Sequence, residues 1–374
     1  MKKFFRSLVV LSTASCALVY FFTCFTPYIS PGRFWPASFL ALGYPFVTVG
    51  MVSLIFYWFF IQKKVSLLLL AILVLGYQNF FSTIAIHCFS TPVARPANTI
   101  RILTWNVRGF DNPSTYIDTP GSVRQQMFDY IRDSAPDIIC MQEFTEHRGK
   151  GMISNSTELL DMGYNYYFRT DDMARQYPYG YIATGTAIFS RIPIVSTGKM
   201  MFPDTSFPEH IAYVDVVMHN SPLRIFSTHF KSLNLGAILA DPNNKALFYG
   251  DSNFIYTASK FEKLKVFPQE HALEGNLAKA LMNKSPYPVI FCGDLNSVPA
   301  SYPYHVMSQG LQDAFLQKGF GLGTTMDSLP QTLRIDYLLV DKKIAIKNYV
   351  RNELHLSDHF PQMIDVQWKD EWQH

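Results

Sequence analysis

Val289-Ile290-Phe291-Cys292-Gly293-Asp294-Leu295-Asn296-Ser297-Val298-Pro299 begins as a buried strand and ends in polar chemistry. Val289, Ile290 and Phe291 form a short apolar run of the kind found in a sheet core. Gly293 reads as the break in that run. Asp294 and Asn296 stand two residues apart, so in extended chain they point to one side. A carboxylate and a carboxamide leaving a buried strand on one face suit a hard cation and a phosphate oxygen. Gly293-Asp294-Leu295-Asn296 also reads as an ordinary Asp/Asn turn. The rest of the sequence has to separate these two readings.

The same pattern recurs along residues 99–374. A β-rich strand from Ile100 to Val107 carries Asn106 at its end. Val123, Met127, Tyr130 and Ile131 have helical spacing, which predicts a surface helix over 123–134. Asp137 to Phe144 reads as a buried strand with Glu143 at its C-terminal end. A charged group there needs a partner if it is buried, and a metal would serve. Further strands are predicted over 164–169 and 185–190. The segments 211–218 and 223–228 form an antiparallel pair that leads into His229. Residues 230–266 are polar with scattered aromatics and read as a long surface excursion beside the site, a candidate substrate loop. A helix is predicted over 269–284, and a short one within 302–319. Leu333 to Val340 is a strand with Asp336 in its middle, which is costly unless paired. Strands over 345–350 and 363–368 flank Ser357-Asp358-His359.

Six short motifs thus follow one another: Thr104-Trp105-Asn106-Val107, Gln142-Glu143, Ser227-Thr228-His229-Phe230, Gly293-Asp294-Leu295-Asn296, Arg334-Ile335-Asp336-Tyr337 and Ser357-Asp358-His359. Each is weak alone. In this order they resemble the endonuclease/exonuclease/phosphatase superfamily, the fold of pancreatic deoxyribonuclease and of neutral sphingomyelinases. The chain looks like a membrane-anchored bacterial member of it. The resemblance implies a four-layer α/β sandwich with two central mixed β-sheets. It implies Mg²⁺, with Mn²⁺ as a substitute, held by Glu143 with help from Asn106 and Asp358. It makes Asp294 the residue that deprotonates the attacking water and Asn296 the binder of a phosphate oxygen. His359 would stabilise charge on phosphorus or protonate the leaving group, oriented by Asp336. His229 matches a second histidine of the deoxyribonuclease branch, but the sequence does not reveal its acidic partner.

Residues 1–89 are of another kind. Three apolar segments without charge, about 8–25, 37–61 and 65–86, each approach the length of roughly 20 residues that crosses a bilayer. A three-helix transmembrane region is therefore expected ahead of a linker at 90–98. Lys2, Lys3, Arg6, Lys63 and Lys64 put the N-terminus and the second turn in the cytoplasm. The catalytic domain, 99–374, then lies on the periplasmic side of the inner membrane. Cys16 after Ser12-Thr13-Ala14-Ser15 faintly resembles a lipoprotein cleavage site, but the apolar run continues past it.

Residues 1–98 hold seven of the 32 Lys and Arg and none of the 29 Asp and Glu. Residues 99–374 therefore carry 25 basic against 29 acidic groups, a balance of −4. This argues against strong non-specific binding of nucleic acid, which usually needs a basic face. No spacing among the five cysteines suggests zinc or a disulfide framework. The leading expectation is a membrane-anchored metal-dependent phosphoesterase. Its substrate would be a lipid head group, a sugar phosphate or a nucleotide, and no obligate protein partner is implied. The alternative is a nuclease acting on DNA or RNA outside the cytoplasm. A third class, a non-catalytic scaffold, predicts a missing ligand, and every position is filled.

Overall fold

The computed structural model describes residues 2–87, 94–111, 121–149, 152–178, 180–203, 209–232, 260–327 and 332–369. The N-terminal part is helical: α1 (Lys2–Thr23), α2 (Ala37–Ile61), α3 (Lys63–Leu75) and α4 (Tyr77–Thr83), then a short strand β1 (Ala85–Ile86). Two helices are long and apolar enough to cross a membrane, over Phe4–Tyr28 and Ala37–Ile61.

The third expected span is not one helix. It breaks at Gly76, where α3 and α4 are bent by 60°. Gly76 presses on α1: a Cβ there would lie 2.1 Å from Tyr20 Oη. The broken turn is satisfied by side chains, since Tyr20 Oη donates to Leu73 O at 2.9 Å and Tyr44 Oη donates to Gly76 O at 3.3 Å. The 13 residues of α3 rise only about 20 Å, too short to cross alone.

Next come β2 (Ile100–Asn106), α5 (Val123–Ser134), β3 (Ile138–Gly149), α6 (Asn155–Asp161), β4 (Tyr166–Arg169), β5 (Met173–Tyr177) and β6 (Gly180–Ser190). Then follow β7 (Ile194–Met201), β8 (His210–Met218), β9 (Ser221–His229), α7 (Lys260–Asn283), β10 (Val289–Asp294), α8 (Tyr302–Ser308) and β11 (Leu311–Asp313). The chain closes with α9 (Ala314–Lys318), β12 (Phe320–Gly321), β13 (Asp336–Asp341), β14 (Ile344–Arg351) and β15 (Gln362–Trp368).

One sheet runs β11-β13-β10-β9-β8-β7; the other runs β14-β15-β2-β3-β6-β4, with β5 also on β6. Each holds one parallel pair, β10 with β9 and β2 with β3, among antiparallel ones, so both are mixed. The sheets pack face to face through Ile102, Cys140 and Ile188 against Val214, Ile225 and Cys292. Met127, Phe128 and Leu159 cover one outer face from α5 and α6. Ala278, Met282 and Met307 cover the other from α7 and α8. The four-layer α/β sandwich expected from the sequence is the architecture present.

Several local readings shift. β3 does not stop near Glu143 but continues to Gly149, with a bulge between Met141 and Phe144. β13 begins at Asp336, so that residue stands at the strand's edge and not in its middle. Gly293 lies inside β10 and does not end it. β5 and β7 had no expected counterpart, and α7 starts at Lys260, inside the supposed excursion. The rest of that excursion, 233–259, lies outside the described residues.

Candidate active site

Three adjacent strands bring three of the expected site residues into one row. Asp294 at the end of β10 is opposite His229 at the end of β9, and opposite Asp336 at the start of β13. The row is tight because Gly293 has no side chain. A Cβ there would meet Thr228 O at 2.4 Å, and the strands would have to part.

Asp294 is wholly buried and faces two histidines: Oδ2 lies 3.7 Å from His359 Nε2 and 3.7 Å from His229 Nε2. Each histidine is backed by its own carboxylate. His359 Nδ1 is 2.9 Å from Asp336 Oδ2, and His229 Nδ1 is 3.1 Å from Glu209 Oε1. Burial disfavours charge on His359, but Asp336 and Asp294 outweigh it and lift its pKa to about 10. His229 is partly buried, and Glu209, Glu143 and Asp294 raise its pKa well above the usual range against the cost of desolvation. Asp294 is pushed up to about 7 by burial and by Asp336, against the pull of His359 and His229.

The second sheet supplies Asn106 and Glu143. Asn106 Nδ2 donates to Glu143 Oε1 at 3.1 Å and to Asp294 Oδ2 at 3.3 Å, and so links the two sheets. Glu143 sits at the bulge of β3 with φ 51°. The bulge turns its side chain toward the site while the strand continues. Glu143 Oε1 is 3.5 Å from His229 Nε2. The neighbouring Gln142 is buried and donates to Ser227 Oγ at 3.0 Å, a second brace between the sheets.

Asn296 is not in extended chain beside Asp294. Its φ is 45°, and its N–H donates to Asp294 Oδ1 at 2.7 Å. This local turn swings the carboxamide to Phe230 O at 2.7 Å and to His229 Nε2 at 3.3 Å. The turn and the polar cluster therefore coexist in Gly293-Asp294-Leu295-Asn296. Asp358 joins the group through neighbours: Oδ2 is 3.6 Å from Arg108 Nε, and Arg108 N donates to Asn106 Oδ1 at 3.1 Å. Its loop is tied to β2, where Ser357 Oγ donates to Asn106 O and Trp105 Nε1 donates to His359 O, both at 2.8 Å.

The residue missed in the sequence is Glu209. It precedes β8, which pairs antiparallel with the strand ending in His229. A carboxylate one step before that strand was the available signal. Also unforeseen is His271 on α7, buried beside the site. Its Nε2 donates to Lys231 O at 2.6 Å, and Nδ1 lies 3.3 Å from Ser297 Oγ. Burial lowers its pKa to about 4. The unfolded chain therefore binds a proton between pH 6.5 and 4 that the folded chain refuses, and stability falls as pH drops through that window. The expected loss at His271 is about 3 kcal/mol. Denaturation midpoints at pH 7 and pH 4.5 should differ by less in His271→Gln than in wild type. An equal difference would remove His271 from the account.

A metal ion needs oxygen donors without competing protons. Asp294, Asp336 and His359 have ligand atoms within 4.8 Å of one another. There, however, His359 is itself the cation, held by two carboxylates. The Glu143 carboxylate, with Asn106 and Asp358 at the same edge, has the better donor chemistry for a hard ion.

A family model described as the endonuclease/exonuclease/phosphatase family matches residues 103–359. A second, described as a domain of unknown function, matches residues 3–84. No curated protein matches the chain. Among solved structures, an endonuclease/exonuclease/phosphatase from Beutenbergia cavernae is 17% identical, covers 74% of this chain and 72% of its own, and has a TM-score of 0.50. A family protein from Leptotrichia buccalis is 16% identical over 72% of this chain and 100% of its own, with a TM-score of 0.49. The human Nocturnin catalytic domain with bound sulfate is 15% identical over 74% and 100%, with a TM-score of 0.48. At such identities the first likeness speaks for the fold alone. Family members are hydrolases of phosphoester bonds and are typically metal-dependent. The family match takes in strands of both sheets and all eight residues of the expected site, and this chain belongs to the endonuclease/exonuclease/phosphatase family.

Proposed function

We propose that the chain is a membrane-anchored, Mg²⁺-dependent phosphoesterase that hydrolyses a phosphodiester or phosphomonoester, with Mn²⁺ as a substitute ion. The observation that carries this reading is Asp294, buried between two histidines that each have a carboxylate behind them. Glu143 would hold the ion, with Asn106 and Asp358 supporting it or its waters. When bound, the ion neutralises phosphate charge and makes a water more acidic. Asp294 takes the proton of the attacking water, and a pKa lifted to about 7 suits a base at neutral pH. The Asn296 carboxamide beside His229 binds a phosphate oxygen. His359, oriented by Asp336, balances charge on phosphorus or protonates the leaving oxygen. His229, held by Glu209, lies across Asp294 from it and neutralises phosphate charge.

The membrane reading rests on α1, α2 and the bent α3–α4 pair. Asn79 Nδ2 of α4 donates to Thr23 O at the end of α1 at 2.7 Å. The bent pair therefore returns to the level where α1 ends, which favours one broken crossing over a shallow loop. With the lysines at the other end of the helices, the catalytic domain faces the periplasm. A second reading, an extracytoplasmic nuclease, gains support from the completed His229–Glu209 pair.

The test offers the full-length chain a phosphodiester reporter, plasmid DNA, RNA and a mixed lipid extract, with Mg²⁺ and then with EDTA. Hydrolysis is expected to vanish in EDTA and return with Mg²⁺. Activity undiminished by EDTA would reject the metal-dependent reading. Cleavage of nucleic acid alone would move the substrate to the nuclease alternative.

A further inference from the structure

The edge of the sandwich that carries the site is also the edge on which the N-terminal helices sit. The chain leaving Asn296 runs straight onto them. Val298 and Ala300 pack in one apolar cluster with Tyr20, Cys24 and Tyr44. Thr26 Oγ1, just past α1, donates to Ala300 O at 2.7 Å, and Ser82 Oγ of α4 lies 3.5 Å from Pro299 O. On the other flank of the site Arg334, two residues before Asp336, donates from Nη2 to Ser82 O. The ring of Tyr28 meets that of His305 edge-on at 4.9 Å between centroids.

These contacts use the outer ends of α1 and α4, so they mark where the helices leave the apolar layer. Four residue-to-residue steps lead from Asn296 to Ala300, and an extended chain covers at most about 3.6 Å per step. Asn296 therefore lies within about 14 Å of Ala300, which touches the segment just past α1. That is the depth range of lipid head groups, which add about 5–8 Å on each side of the hydrocarbon core, and of the water just outside them.

A second feature lies at the same level. Ile86, three residues past α4, is opposite Phe320 in the two-stranded β1–β12 pair. Both are exposed, Ile86 by 60% and Phe320 by 66%. Chain continuity with α4 puts this apolar pair at the bilayer surface, where it can insert.

We propose that the catalytic edge lies against the bilayer, with Ile86 and Phe320 seated in its surface, and that the substrate is a phosphoester carried by a lipid of that leaflet. This rests on the phosphoesterase reading above and narrows its substrate. A lipid phosphate reaches such a site by lateral diffusion. A long polymer approaching the same edge meets the membrane first, and the acidic balance of residues 99–374 gives it no attraction.

The test reconstitutes the full-length chain, with Mg²⁺, in vesicles of phosphatidylcholine, phosphatidylethanolamine, phosphatidylglycerol and phosphatidic acid. Protein-free vesicles of the same lipids with an isotopic label are added as targets in trans. Head-group or phosphate release is compared between the two pools, with bis(p-nitrophenyl) phosphate, p-nitrophenyl phosphate and plasmid DNA as soluble arms. Lipid of the enzyme's own vesicle is expected to be hydrolysed and the trans lipid to be spared. The double variant Ile86→Glu/Phe320→Glu should lose about tenfold of lipid turnover and keep soluble-reporter turnover. If that variant also loses the reporter it is misfolded, and the wild-type comparison of the two pools still decides for or against the geometry. Reporter or DNA cleavage with no lipid hydrolysis would overturn the lipid proposal and leave the phosphoesterase reading standing. Equal hydrolysis in both pools would overturn the bilayer-facing geometry. No hydrolysis in any arm would overturn both readings.

Discussion

Asp294→Ala is expected to lower kcat by about 10²–10⁴-fold, the range lost when a positioned general base is removed. The fold should survive. Asp294 is a buried carboxyl whose charge is disfavoured by burial and by Asp336, so its ionised form costs the fold some stability. Asp294→Asn keeps the shape and the acceptor for the Asn296 N–H, and it should lose turnover to the same degree while unfolding no earlier than wild type. His359→Ala should lose turnover comparably, because it removes the cation between Asp294 and Asp336. Reporter kinetics together with thermal unfolding check this. Turnover near wild type in Asp294→Ala or His359→Ala would sink the mechanism. A collapse of the melting transition would instead make Asp294 a structural residue.

Arg334→Ala is expected to cost about 3–5 kcal/mol of stability, the penalty for stranding a buried charge. The guanidinium is almost fully buried, and Nη1 donates to Asp313 Oδ2 at 2.6 Å. The rings of Phe315 and Tyr337 lie 4.9 Å from its carbon, and that of Tyr304 lies 5.5 Å away. Asp313 also caps α9, accepting from Phe315 N at 3.0 Å, and takes the Tyr304 hydroxyl at 2.8 Å. Removing Arg334 leaves that carboxylate uncompensated and unties α4 from the strand that carries Asp336. Unfolding should begin about 10 °C lower in the variant. Arg334→Met with Asp313→Asn should recover part of the loss, because neither charge is then stranded. A loss below about 1 kcal/mol in Arg334→Ala would show that the pair is solvated in practice.

Much of this site was legible in the chain because strand ends announce themselves. An apolar run followed by Asn106, His229 or Asp294 reads as a strand that delivers a polar group to an edge. The apolar run over 37–61 was legible for a similar reason, since 25 residues without charge allow little else. Where the reading failed, the deciding contact was long-range. Glu143 looked like a strand end, but its strand continues through a bulge, and only the partner strand β6 reveals the extra residue. The break at Gly76 depends on Tyr20 and Tyr44, more than thirty residues away in sequence.

The sequence by itself determined that two kinds of chain are joined here and which residue types reach the edge of the sheets. Periodicity and charge are local properties, and they suffice for that. Only the tertiary structure decided who partners whom. Glu209 became the support of His229 because two antiparallel strands set them side by side. Asn106 became the link between Glu143 and Asp294 because the sheets pack face to face. The helices came to rest on the edge that carries the candidate site through Thr26, Ser82 and Arg334. These are contacts between residues far apart in the chain. Their energies depend on burial and on the neighbouring charges, and neither exists until the chain has folded.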